Sequence, residues 1–300
     1  MDKPFKSVDE QIEILHSRGL QTDRSTRGIL LREGYYSVIN GYKVPFIDAK
    51  ATREAGDDRY IAGAEFLDVY SLFQFDRELR ELTFHYVIKA EALVRTLCSY
   101  TFSEAHREKE AYLRKENFSS RDEFEKYGLI EYDKNLGELI RILRSKRQNS
   151  KREFVTHYRK LHDNVPLWVL ANDLTFGNVQ HFYNLMKPKE QRMVCKRVVE
   201  ATEKLGCDDG YFDTSEARVG LDVLVDVRNR CAHDERLYSA RFGGRKAIRY
   251  VDFLYYIKRY LTHDEFDEMA DAISQTVGLH SNQSAVVSHI LSEMGFREVC

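Results

Sequence analysis

The chain has 300 residues, is 43% hydrophobic and 31% charged, and carries 46 Lys and Arg against 48 Asp and Glu, a formal charge of −2. That apolar content is enough for a sizeable core, while the near-neutral balance gives no global attraction to a polyanion, so any nucleic-acid contact must come from local patches. Five scattered cysteines without a C-x-x-C pair exclude a zinc framework and predict reduced thiols in a cytoplasm; a start without an apolar h-region and the lack of any ~18-residue uncharged apolar run predict neither secretion nor a membrane span.

Only Pro4, Pro45, Pro166 and Pro188 occur, which leaves residues 46–165 free of the strongest helix breaker and favours an all-α fold. Ser7-Val8-Asp9-Glu10 is a capping-box pattern opening a short amphipathic helix. Tyr35, Tyr36, Tyr42 and Phe46 form an aromatic turn that is suited to stacking bases but is read first as core. Residues 48–63 read as a polar loop. From Glu65 to about His106, Phe66, Val69, Tyr70, Phe73, Leu79, Leu82, Val87, Leu93 and Leu97 recur at helical steps, predicting one long helix, straight or kinked. Asp76, Arg77, Arg80, Glu91 and Arg95 interrupt its apolar turns. Buried charges must be paired, so these are expected to form an ion-pair network, and Arg77, Arg80, Glu91 and Arg95 are candidates for orienting functional groups from behind.

Helical patterns continue over 121–146, 166–172, 178–186, 188–204 (with Pro188 at the first helical position) and 250–261, and Thr262-His263-Asp264-Glu265 opens a last helix. Trp168 is expected in the core, and 205–213 is read as a loop. Within Arg141–Lys160, the cations Arg141, Arg144, Lys146, Arg147, Lys151, Arg152, Arg159 and Lys160 face only Glu153, a run that suits an RNA backbone or a solvated helix face. Leu221, Val223, Val225 and Val227 alternate as a half-buried strand would, yet Leu221, Leu224, Val225 and Arg228 also fit a helix. Periodicity leaves these open, and the motif that follows favours the helix.

That motif is Arg228-Asn229-Arg230-Cys231-Ala232-His233. Metal-free RNA cleavage needs a group that moves protons near neutral pH and a fixed cation for the phosphate, and His233 and Arg228 are residues of those kinds. On a helix Arg228 sits ~140° round from His233 and ~7.5 Å along the axis, so the two flank a phosphate better than they contact each other. The bland alternative is a histidine at a helix C-terminus with a surface arginine. Arg241, Arg245, Lys246 and Arg249 follow closely around Gly243-Gly244, as a substrate-gripping loop would. Walker, dinucleotide, zincin and hydrolase-elbow signatures are missing from the sequence, and His157 and His162 are at the wrong spacing for two ligands on one helical face.

Four ordered blocks carry a resemblance: Gly34-Tyr35-Tyr36-Ser37-Val38-Ile39-Asn40-Gly41-Tyr42 closed by Pro45-Phe46; Phe75-Asp76-Arg77-Glu78-Leu79-Arg80 with Glu91 and Arg95; Pro166-Leu167-Trp168 with Leu174-Thr175-Phe176-Gly177; and Arg228 to His233 with Arg236-Leu237. Together they resemble the Abi-like family of bacterial abortive-infection proteins, of the AbiD and AbiF type. The resemblance implies an all-α bundle of the HEPN superfamily, with an N-terminal helical extension over 1–64 and a HEPN-like domain over 65–300 holding a basic insertion near 121–162. It further implies a metal-independent, cofactor-free endoribonuclease of anti-phage defence or toxin-antitoxin type that works as a homodimer, with Arg228, Asn229 and His233 as catalytic residues. The expected RNA contacts are Arg144, Lys146, Arg147, Lys151, Arg152, Arg236, Arg241 and Arg245. Two other readings stay open: a non-catalytic RNA-binding or regulatory scaffold, and a helical protein-interaction module in which the motif merely ends a helix.

Overall fold

The computed structural model describes residues 4–162, 164–204, 210–244 and 247–296. These residues are all-α, with no β-strand among them and extended pairing confined to single bridges such as Ile47 with Tyr60. The order is α1 (Val8–Ser17), α2 (Thr26–Glu33), one π-helical turn (Tyr36–Asn40), α3 (Ala49–Ala55) and α4 (Phe66–Ala105). Then come α5 (Arg121–Glu125), α6 (Tyr132–Asn149), α7 (Glu153–His162), α8 (Leu167–Leu170), α9 (Phe176–Leu185), α10 (Pro188–Ala201), α11 (Thr214–Ala232), α12 (Tyr250–Ile257), α13 (His263–Gln283) and α14 (Ala285–Glu293). No described helix is long and apolar enough to cross a membrane.

The 40-residue α4 is the expected long helix, about 60 Å at 1.5 Å per residue. Ser7 caps α1 with the expected reciprocal pair, its hydroxyl accepting from Glu10 N while Glu10 accepts from Ser7 N. Three expectations are corrected. The loop assigned to 48–63 contains α3, because the Asp48 carboxylate accepts from Lys50 N and Ala51 N at 2.9 Å and Gly56 ends the helix at φ +68°. The helix expected over 121–146 is two, α5 and α6, parted where Gly128 and Glu131 turn left-handed at φ +75° and +61°. Trp168 is 56% exposed rather than in the core, since the short α8 buries Leu167, Val169 and Leu170 instead.

The chain forms two compact units. The first comprises 1–82, 234–240 and 270–300, and the second 83–233 and 241–269. In the first, Leu15, Phe46, Phe66, Leu72 and Phe75 are fully buried, and Phe75 meets the edge of Phe296 with centroids 5.4 Å apart. His280, buried beside them, bonds Ser71 Oγ through Nδ1 at 3.3 Å and Glu78 through Nε2 at 3.1 Å. In the second, α11 packs on α9, α10 and α12, and Phe102, Phe118 and Phe182 form an aromatic triad with centroids 5.0–5.6 Å apart. Cys98 and Cys195 are buried free thiols, and burial pushes Cys195 up to about 11. Cys207 and Cys300 lie outside the described residues.

Candidate active site

The ambiguous segment before the motif is helical. Ala217, Gly220, Leu221, Leu224 and Val227 form one buried stripe of α11, and the site of a Gly220 Cβ lies only 3.4 Å from the Tyr256 ring, so α12 approaches closely there. This packing fixes the helix's rotation. Arg228 stands at the stripe's edge, Asn229 is exposed, and α11 ends at His233, whose N–H donates to Asn229 O at 3.0 Å. His233 is exposed at the C-terminal end of its helix.

Arg228 is held from α4. Its Nε donates to Glu91 Oε2 at 3.1 Å, with the Arg228 side chain 29% and Glu91 only 8% exposed, and its Nη1 reaches Asn229 Oδ1 at 3.4 Å. Glu91 Oε1 accepts from Arg95 Nη2. One carboxylate thus serves two guanidiniums, leaving a surplus positive charge next to the exposed histidine's helix. Arg95 Nε is buried with no hydrogen-bond partner among the described residues. Such a cluster attracts an anion while keeping Arg228 in one orientation.

Of the four α4 charges expected to orient the site, Glu91 holds Arg228 and Arg95 shares that carboxylate, whereas Arg77 and Arg80 serve the first unit. Arg77 pairs with Glu33 at 2.6 Å. Arg80 Nη1 donates to Asp76 Oδ2 at 2.6 Å and to Tyr42 Oη at 3.0 Å, and its Nη2 pairs with Asp234. Asp76, wholly buried, also accepts from the Tyr42 hydroxyl at 2.7 Å and from Leu237 N and Tyr238 N at 3.1 and 2.7 Å. Burial pushes the Asp76 carboxyl up, and these donors pull it back toward the charged form. The Asp76 hub joins the aromatic turn, α4 and the segment after His233 within one unit. Over it lies a cavity of about 270 Å³. Of the aromatic turn, Tyr42 and Phe46 are core as expected, but Tyr36 is 78% exposed.

The basic run is partly neutralised. Lys146 and Arg152 pair with Asp173 at 3.3 and 3.5 Å, and Arg147 with Glu110 at 2.6 Å. Arg159 donates to the carbonyls of Arg147, Gln148 and Ser150, capping the end of α6. Arg144 and Lys151 are exposed, with no ion pair among the described residues. Arg236 is exposed and donates Nη1 to Gly41 O at 2.9 Å; Arg241 is exposed; Arg249 is tied to Asp252 at 3.0 Å; Arg245 and Lys246 lie outside the described residues. No group of three or more His, Cys, Asp or Glu side chains suited to a metal occurs among the described residues.

Sequence reasoning missed Asp173 and Asp234, and it read Tyr42 as core without its bonds to Asp76 and Arg80. Their partners lie tens to more than a hundred residues away, and only Asp234, next to the motif, offered a local hint. Comparison with curated proteins and with solved structures returns no match. A family model described as Abi-like protein matches residues 28–239, a span that takes in the aromatic turn, the Asp76 hub, Trp168, the Glu91–Arg228 pair and His233. The chain belongs to the Abi-like family.

Proposed function

We propose that this protein is a metal-independent endoribonuclease of abortive-infection defence, with HEPN-type chemistry at Arg228, Asn229 and His233. The observation that carries the reading is the pairing of a guanidinium fixed by a buried carboxylate with an exposed histidine on the same helix. Membership of the Abi-like family supports the defence role.

In this mechanism the substrate's 2′-hydroxyl loses its proton to a base and its oxygen attacks the adjacent phosphorus. The bond from phosphorus to the 5′-oxygen breaks, and that oxygen takes up a proton, leaving a 2′,3′-cyclic phosphate and a 5′-hydroxyl. His233 transfers the protons, Arg228 meets the charge that grows on the phosphoryl oxygens, and Asn229 holds the Arg228 fork. A homodimer supplies two such histidines, one as base and one as acid. Arg144 and Lys151, with no ion pair among the described residues, hold the RNA backbone.

The test is incubation of total RNA with wild type and His233→Ala, with new ends mapped. Wild type cuts, and the variant cuts slower by a factor on the order of 10³ while binding RNA equally. Equal cleavage by the variant refutes the assignment. Binding without any cleavage by wild type supports the scaffold reading instead.

A further inference from the structure

We infer that the cavity of about 270 Å³ over the Asp76 hub is a base pocket that takes one unpaired guanine of a single-stranded RNA, read by the Asp234 carboxylate and stacked on Tyr36. The inference rests on the ribonuclease reading, to which it adds a substrate class.

Three separated segments make the pocket: the π-helical turn with Tyr36 and Asn40, α4 with Phe73 and Arg80, and the stretch after the motif with Asp234 and Arg236. π-Helical turns are rare and concentrate at functional sites. This one presents Tyr36 to solvent at 78% exposure while Val38 and Ile39 anchor it in the core. An exposed ring above a cavity is a platform for a splayed base. Beneath it Tyr42, Asp76 and Arg80 are fully bonded to one another, so the floor is rigid.

Asp234 gives the pocket its selectivity. It is a non-glycine residue in the left-handed region at φ +57°, a conformation that Asp tolerates better than most residues and that persists where the surroundings enforce it. Here Arg80 enforces it by binding Oδ1. The side chain remains 73% exposed. An ionised carboxylate offers acceptors alone. Guanine presents two adjacent donors, N1–H and the N2 amino group, on its Watson–Crick edge. Adenine and cytosine set a ring-nitrogen acceptor beside their amino group, and uracil flanks its one N–H with two carbonyls, so each opposes a carboxylate with like polarity. Asn40 lines the same pocket, and its amide is a donor of the kind that guanine O6 accepts. Arg236, held to Gly41 O through Nη1, keeps Nε and Nη2 without a hydrogen-bond partner among the described residues, and these meet the nucleotide's phosphate.

The experiment is fluorescence anisotropy of labelled uridine pentamers carrying G, A, C or U at the centre, on full-length His233→Ala protein so that no cleavage intervenes. The G pentamer binds about tenfold tighter than the others. Adding Asp234→Asn brings all four within twofold of one another, because Asn keeps both the left-handed backbone and an acceptor for Arg80 but turns one edge into a donor. Tyr36→Ala, at an exposed position that folding does not need, weakens all four at least fivefold. Equal binding of the four pentamers by His233→Ala protein, an unchanged preference in Asp234→Asn, or full affinity in Tyr36→Ala overturns the pocket. Cleavage of RNA by wild type together with any of those results removes the pocket and leaves the ribonuclease standing. Guanine preference abolished by Asp234→Asn in a protein that cuts nothing retains the pocket and removes the ribonuclease.

Discussion

At Glu91 one buried carboxylate neutralises two guanidiniums, and the charge arithmetic decides what a substitution there does. Glu91→Gln leaves Arg95 and Arg228 without their shared anion, and loss of one member of a buried ionic cluster costs about 3 kcal/mol. Urea unfolding of Glu91→Gln therefore shifts to a lower midpoint, and the proposed ribonuclease predicts that cleavage falls as the Arg228 fork loses its anchor. Unchanged stability would mean that solvent already screens the pair. This contact spans 137 positions in the chain. The spacing of charges along α4 was enough to predict that they are paired, but nothing local told which of them Arg228 would choose. Arg77 and Arg80, similar in sequence context to Arg95, serve Glu33 and Asp76 instead.

At the scale of elements, helix ends depend on side chains that reach their unpaired carbonyls. Lys204 is 1% exposed, and its ammonium donates to Lys258 O and to Leu261 O, the latter at 2.7 Å, closing the turn after α12. Lys204→Met keeps the aliphatic stem and removes those donors, so it loses about 2 kcal/mol, measured as the shift in urea midpoint. A neutral result would show that water replaces the ammonium. The long α4 was legible because Pro and Gly are absent from it and its apolar period persists. The missed α3 was legible too: Asp48 and Gly56 are its cap and its stop, set around residues whose polarity suggested a loop. The break between α5 and α6 was harder, since one glycine inside a helical pattern is compatible with continuity, and Glu131 gives no sign of adopting positive φ. Trp168 was misplaced because a tryptophan's size argues for burial, whereas a one-turn helix has only one side to bury.

For the molecule as a whole, its ion pairs set the response to acid. A hydrogen bond from Arg77 holds Glu33 below its ordinary value of 4.5, and Arg249 does the same for Asp252. A carboxylate lowered in the folded state contributes stability that is present above its unfolded value and is lost as pH falls through the folded one. Melting temperature therefore falls as pH drops below about 4, and Glu33→Gln falls less than wild type between pH 5 and pH 3; an equal fall would show that the Glu33 pair contributes nothing. The all-α architecture was readable from composition and period, and the family was readable only as a set of ordered blocks. What joins those blocks, the Asp76 hub and the Glu91 cluster, is long-range packing that no single segment encodes. The central claim is attack by the RNA's own 2′-hydroxyl, and it is tested most directly with an RNA cut by the wild-type protein, resynthesised with a single 2′-deoxy sugar at the cut and incubated in EDTA. The account predicts that the all-RNA strand is cleaved to a 2′,3′-cyclic phosphate and that the single deoxy substitution abolishes the cut. Cleavage of the substituted strand, or cleavage of either strand only when a divalent ion is supplied, would contradict it.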